Sequence, residues 1–115
     1  MFDFEKLTVY KKSLEARKSL YTFLAHKNID KVLSDQLKRA ILSIILNIAE
    51  GTGKSTKADK KNFFTIARGS TYEVVAILDI LRNDDLIHPD QHQFLYSSYE
   101  EISKMLLGLI NSLRQ

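Results

Sequence analysis

Apolar residues recur every three or four positions in four stretches of the chain, and no stretch alternates residue by residue as a half-buried strand would. Over roughly residues 4–27, Leu7, Tyr10, Leu14, Tyr21 and Leu24 form one stripe beside a second of Val9, Ala16, Leu20 and Phe23, and Asn28 ends the pattern. The next stretch starts at Ser34, a capping residue type, and follows Leu37, Ile41, Ile44 and Ile48 to Gly51, where Gly51 and Gly53 supply the stop. Thr56-Lys57-Ala58-Asp59 then has the spacing of a capping box. It leads into Phe63, Ala67, Ser70, Val74, Ile77 and Leu81, spaced 4, 3, 4, 3 and 4 like the seam of a bundle. Asn83-Asp84-Asp85 closes that helix. Pro89, suited to a first helical turn, opens the last, with Leu95, Tyr99, Ile102, Leu106, Leu109 and Leu113 at the same spacings. Helices of about 20 to 25 residues are about 30–37 Å long, and the short connections force antiparallel neighbours. The expected fold is all-α, a single domain over residues 1–115 folded as an up-down-up-down four-helix bundle.

The second helix carries more apolar surface than one protomer requires. Besides its main stripe it holds Ala40, Leu42, Ile45, Leu46 and Ala49, so it is oily nearly all round and needs cover on more than one side. Each large aliphatic side chain contributes about 1.5–3 kcal/mol when fully buried. Leu42, Ile45, Leu46 and Ala49 are therefore the expected interface with further copies of the chain.

Composition narrows the chemistry. Apolar residues make up 44% and charged residues 27%, the balance of a folded globular domain, and there is no cysteine for a disulfide, a thiolate metal site or a thiol nucleophile. The start, MFDFEKLTVYKK, lacks the basic region and apolar core of a secretory signal, which points to the cytoplasm. The most apolar run, residues 40–49, is half the roughly 20 residues a membrane span needs. The net charge of +3 is unevenly shared: residues 1–61 hold 13 Lys and Arg against 7 Asp and Glu, whereas residues 62–115 hold 4 against 7.

Asn47–Ser55, NIAEGTGKS, ends like a phosphate-binding loop. Such a loop needs a glycine five positions before its Gly-Lys pair, a strand in front and a helix behind. That position is Ile48, inside a helical pattern, so nucleotide binding of this kind is not expected and a helix stop followed by a basic turn is. The same region carries a polar ladder: Arg39, Ser43, Asn47 and Glu50 share one stripe of the second helix, and Ser70 and Glu73 lie one turn apart on the third, near Arg68. Mutual hydrogen bonding across the two helices is the favoured role for this network, against lining the cavity of an oligomer. Gly69 interrupts the third helix at a cost of up to about 1 kcal/mol, which makes sense where another backbone approaches.

These residues also carry a resemblance. QLKRAILSIILNIAEGTGKS, FFTIARGSTYEV and EISKMLLGLINSLR, taken in order, resemble the bacterial four-helix-bundle family first named for proteins encoded in intervening sequences within 23S rRNA genes. The most distinctive strings are Asn47-Ile48-Ala49-Glu50-Gly51 and Ala67-Arg68-Gly69-Ser70 with Glu73 following. The resemblance implies a homopentameric, barrel-like assembly and a relationship to the accessory protein that works with reverse transcriptase in diversity-generating retroelements. It brings no established activity. Where members commonly have proline, arginine and Phe-Pro, this chain has Ile45, Lys54 and Ala25-His26, which leaves the shape of two turns open.

Catalytic and metal sites are weakly supported. No glutamate has a histidine three residues on, as a di-iron bundle requires, and His88 and His92 are a bare pair short of the usual ligand count. His88 is better placed to cap the fourth helix, with His92 solvated; no cofactor is expected. Glu50 and Glu73 have no recognisable nucleophile nearby, so a hydrolase is the least favoured reading. The basic residues offer more. Lys54, Lys57, Lys60 and Lys61 crowd the turn between the second and third helices, and Lys11, Lys12, Lys18 and Lys38 extend the positive half. The reading favoured by the sequence is thus a non-enzymatic homo-oligomer that binds RNA or DNA through phosphate contacts. The alternative is a scaffold that holds a protein partner, such as a reverse transcriptase, without touching nucleic acid.

Overall fold

The structure, a computed structural model, describes residues 1–114. Four helices follow a single 3₁₀ turn: α1 Thr8–Ala25, α2 Lys31–Thr52, α3 Lys57–Asn83 and α4 Pro89–Ser112, with no strand among the described residues. They stand in a ring in which α2 lies along α3, α3 along α4, and α1 completes the circuit more loosely between α4 and α2. The bundle is elongated, 44 × 26 × 23 Å, and one apolar core runs through all four helices. Among the described residues, no helix is long and apolar enough to cross a membrane.

The expected main stripe of α2 is the centre of that core: Leu37, Ile41, Ile44 and Ile48 are all buried. On α4, Leu95, Tyr99, Ile102 and Leu106 are buried as expected, but Ile110 takes the last inward place while Leu109 and Leu113 are only half-buried. On α3 the seam turns by one position at two levels, with Phe64 and Thr71 inside and Phe63 and Ser70 at the edge. The Thr71 hydroxyl survives burial by donating to the Ala67 carbonyl at 3.0 Å. On α1 the inward stripe is Val9, Ala16, Leu20, Phe23 and Leu24, with Ser13 donating to Val9 O at 2.7 Å, and Leu14 is turned out at 43% exposure.

Helix ends differ from expectation where two capping residues compete. The first helix does not run from residue 4: Asp3–Lys6 form a 3₁₀ turn, the Phe2 N–H donates to the Glu5 carboxylate at 2.9 Å, and Leu7 is extended before α1 begins. Asp30, not Ser34, caps α2. Its carboxylate accepts from the Val32 and Leu33 N–H groups at 2.8 and 3.2 Å, and a negative charge also complements the positive end of the helix dipole. The α3 cap is as expected, Thr56 Oγ1 accepting from the Asp59 N–H at 3.1 Å. At the other end of α3, Asp85 adopts φ 57° and the Leu86 and Asp85 N–H groups donate to Leu81 O and Arg82 O at 2.9 and 3.2 Å. That is a Schellman closure with an aspartate where glycine is usual, tolerable because Asp enters the left-handed region more readily than most residues.

The two glycines after Glu50 do not act as left-handed stops. The helix runs through Gly51 to Thr52, and Gly53 caps it at φ −83°. Gly51 is needed for space: a Cβ there would lie 2.8 Å from Phe64 Cε1 and 3.2 Å from Phe63 Cβ. The missing side chain lets the start of α3 pack flush against the end of α2.

Candidate nucleic-acid interface

The polar ladder is partly resolved into internal pairing. Ser43 Oγ and Ser70 Oγ share a hydrogen bond of 2.7 Å between α2 and α3, and Asn47 Nδ2 donates to Ser43 O at 2.8 Å and Ser43 Oγ at 3.1 Å. Glu73 accepts from Gln36 Nε2, a partner that the sequence reading missed because Gln36 falls one turn before the ladder begins. Arg39 and Glu50 remain exposed and unpaired among the described residues. Arg68 turns the other way, to α4: Nε donates to Ser103 O at 3.3 Å, and the guanidinium lies 5.1 Å from the Tyr72 ring with Nη2 donating to its hydroxyl at 3.2 Å. Of the seven residues, Ser43, Asn47, Ser70 and Glu73 are satisfied on the α2 side of α3, Arg68 lies on the α4 side, and Arg39 and Glu50 join neither set.

The outward side of α2 keeps part of its expected apolar surface. Leu42 and Leu46 are 50% and 48% exposed and Ala49 is half-buried, but Ile45 is 7% exposed and belongs to the protomer core. Ile45 lies four residues after Ile41 and three before Ile48, both fully buried, so it shares their inward side of the helix. Ile66 and Ile80 of α3 are also exposed.

The basic residues prove heterogeneous. Lys60 Nζ donates to Thr52 O at 2.8 Å, which satisfies a last-turn carbonyl of α2, and Lys54 Nζ sits 4.8 Å from the Phe63 ring centroid. These two brace the turn. Lys57 and Lys61 are exposed, and Lys61 borders a groove between α3 and α4. Lys12 pairs with Glu101 at 3.0 Å across α1 and α4, and Lys38 lies 5.6 Å from the Tyr21 ring, which Arg17 also covers at 4.2 Å. Lys11 and Lys18 are exposed. Of the eight lysines singled out in the sequence, Lys12 alone has a carboxylate within ion-pair distance among the described residues. The phosphate-loop likeness disappears in this geometry, since Ile48 is fully buried inside α2 and Lys54 rests on an aromatic ring.

His88 and His92 serve as a helix cap and a carboxylate partner. His88 caps α4, its Nδ1 accepting from the Asp90 N–H at 3.2 Å. His92 is not solvated as expected: its ring is 2.9 Å from the Asp79 carboxylate on α3, with the side chain 17% exposed. No group of three His, Cys, Asp or Glu that could hold a metal occurs among the described residues. Lys31 and Asp35 pair at 2.6 Å on the surface, and that hydrogen bond raises the lysine pKa and lowers the aspartate's.

No curated protein matches the chain. A solved protein of unknown function from the S23 ribosomal protein family of Bacteroides thetaiotaomicron is similar to it, with 32% identity over 90% of this chain and 98% of that one and a TM-score of 0.82. Residues 5–108 match the family described as 23S rRNA-intervening sequence protein. With that match spanning nearly all of the four helices, the chain belongs to the 23S rRNA-intervening sequence protein family.

Proposed function

We propose that the protein is a non-enzymatic, self-associating helical bundle that binds RNA or DNA through the phosphate backbone. The observation that carries this reading is the unpaired state of its lysines: Lys11, Lys18, Lys57 and Lys61 are exposed with no carboxylate partner among the described residues. Cations left without internal partners are available to displace counterions from a polyanion. Self-association is supported by the wet aliphatic side chains Leu42 and Leu46, one turn apart on α2, and by Ile66 and Ile80 exposed on α3, since exposed apolar surface is favourably covered by a partner. Repeating the lysines around an assembly, a homopentamer in the family resemblance, converts weak contacts into multivalent ones along one polymer. The same aliphatic side chains also suit a scaffold for a different protein, which would copurify with protein rather than RNA.

The test pairs light scattering with fluorescence anisotropy. Leu42→Gln/Leu46→Gln lowers the measured mass toward 13.2 kDa, while Lys57→Gln/Lys61→Gln retains it, weakens oligonucleotide binding and flattens its salt dependence. Lys54 and Lys60 are left in place because they hold the turn. Unchanged binding by the lysine variant, or a wild-type monomer at micromolar concentration, defeats the corresponding half of the proposal.

A further inference from the structure

The first half of α3 and the last part of α4 run antiparallel and leave a groove of about 420 Å³ between them. It is lined by Lys61, Arg68, Gly69 and Tyr72 from α3, by Leu107 from α4, and by Arg114 just past the end of α4. Beyond Tyr72 a second hollow of about 240 Å³ continues along the same two helices past Glu100 to Tyr96. Lys57, Lys61, Thr65, Arg68 and Tyr72 follow one another at spacings of 4, 4, 3 and 4, so one edge of α3 presents cations and then an aromatic ring.

Three features select an occupant. Lys61, Arg68 and Arg114 make no ion pair with any carboxylate among the described residues, so the lining is complementary to an anion. Tyr72 is 58% exposed although it sits in a groove, and its orientation is held by the Arg68 guanidinium. Gly69 is a mid-helix glycine with nothing within 4 Å of the position its Cβ would occupy. A packing constraint inside the protomer therefore does not account for it, and this part of the groove is open to close approach. Cations beside an exposed ring suit phosphate on one side and a nucleobase face on the other. In a duplex the base faces are stacked and out of reach; in an unpaired strand they are free.

We propose that this α3–α4 groove binds an unpaired segment of nucleic acid, with Lys61, Arg68 and Arg114 on consecutive phosphates and a base stacked on Tyr72. The inference rests on the nucleic-acid reading above and assigns to it a place and a strand type. Glu100 lines the second hollow together with Tyr72, beside the ring, where a carboxylate accepts from the amino groups of a stacked base.

Anisotropy with labelled oligo-rU and oligo-dT, and with a duplex of the same length, reads the result. Tyr72→Ala lowers affinity for the unpaired strands at least about fivefold, whereas Tyr72→Phe, which keeps the ring, stays near wild type; circular dichroism is unchanged in both. Lys61→Gln/Arg114→Gln reduces the slope of log affinity against log salt by about 1.4, as expected for two lost contacts to a single strand. If the wild type binds with strong salt dependence but Tyr72→Ala and Arg114→Gln bind equally well, the groove is not the site and the phosphate-contact reading stands alone. Equal loss on the duplex removes the unpaired-strand assignment. No oligonucleotide binding by the wild type at low salt, or binding only of an acidic peptide, overturns both.

Discussion

The two flanks of α3 are built on opposite principles. On the side facing α2, Gly51 lets Phe64 close the gap, and the polar atoms that remain, Ser43, Asn47, Ser70 and Glu73, find partners within the protomer. On the side facing α4, Gly69 opens onto empty space, Tyr72 stands half in solvent, and the cations that line the groove have no acidic partner among the described residues. The same helix thus presents one surface that is complete and another that is unfinished. A buried polar group is costly unless hydrogen-bonded, so the α2 flank had to be satisfied internally. The α4 flank stays hydrated and carries no such requirement, and it is there that side chains are free to meet a ligand.

The contrast is broken most forcefully by truncation. Ile48→Ala, at a fully buried position of the α2 seam, should cost about 2–5 kcal/mol. Leu107→Ala, on the groove wall and partly exposed, should cost about 1 kcal/mol or less. Urea midpoints at a single protein concentration, with unchanged m-values, measure both. Equal losses would mean that the groove is packed in solution. A smaller effect comes from the glycines. Gly51→Ala drives a methyl group into Phe64 and should destabilise by about 1–3 kcal/mol, while Gly69→Ala meets nothing and should stabilise the protomer by up to about 1 kcal/mol through helix propensity. The opposite signs of one substitution at two glycines sharpen the difference between the flanks. A destabilising Gly69→Ala would place a neighbour over the groove.

Much of this arrangement is legible in the sequence because local periodicity decides it. Leu37, Ile41, Ile44 and Ile48 share a face whatever surrounds them, and Thr56, His88 and Pro89 act within one turn of their own backbone. What is not legible depends on distance to a neighbouring element. Ile45 and Leu46 are adjacent and equally apolar, yet the packed bundle covers one and leaves the other wet. Lys60 and Lys61 are likewise adjacent and equally charged. One reaches back to the Thr52 carbonyl and the other faces the groove, a division that depends on how the turn folds and not on the charge run. The 57-61-65-68-72 spacing was available as a signal for the groove edge, but it gains meaning only once α4 and the residues just after it supply Leu107 and Arg114 opposite it.

The smallest expected effect concerns a buried group at the edge of the α3–α4 side. Tyr99 of α4 is buried and its hydroxyl has no hydrogen-bond partner among the described residues. Burial pushes its pKa well above the ordinary 10.0, and the nearby Arg17 only partly offsets that rise. Below pH 10 the phenol is protonated in both folded and unfolded chains and contributes no pH dependence. As pH rises through 10 the unfolded chain ionises while the folded one does not, so stability is lost, at most about 1.4 kcal/mol per pH unit from this group. Tyr99→Phe removes that component, and it also removes an unpartnered hydroxyl that costs about 1 kcal/mol to desolvate. The variant should therefore match or exceed wild-type stability at neutral pH and gain on it progressively above pH 10, as followed by thermal melts across the alkaline range. A clear loss of stability at neutral pH would show that the hydroxyl has a partner in solution, and the α4 side of the core would then be as fully satisfied as the seam between α2 and α3.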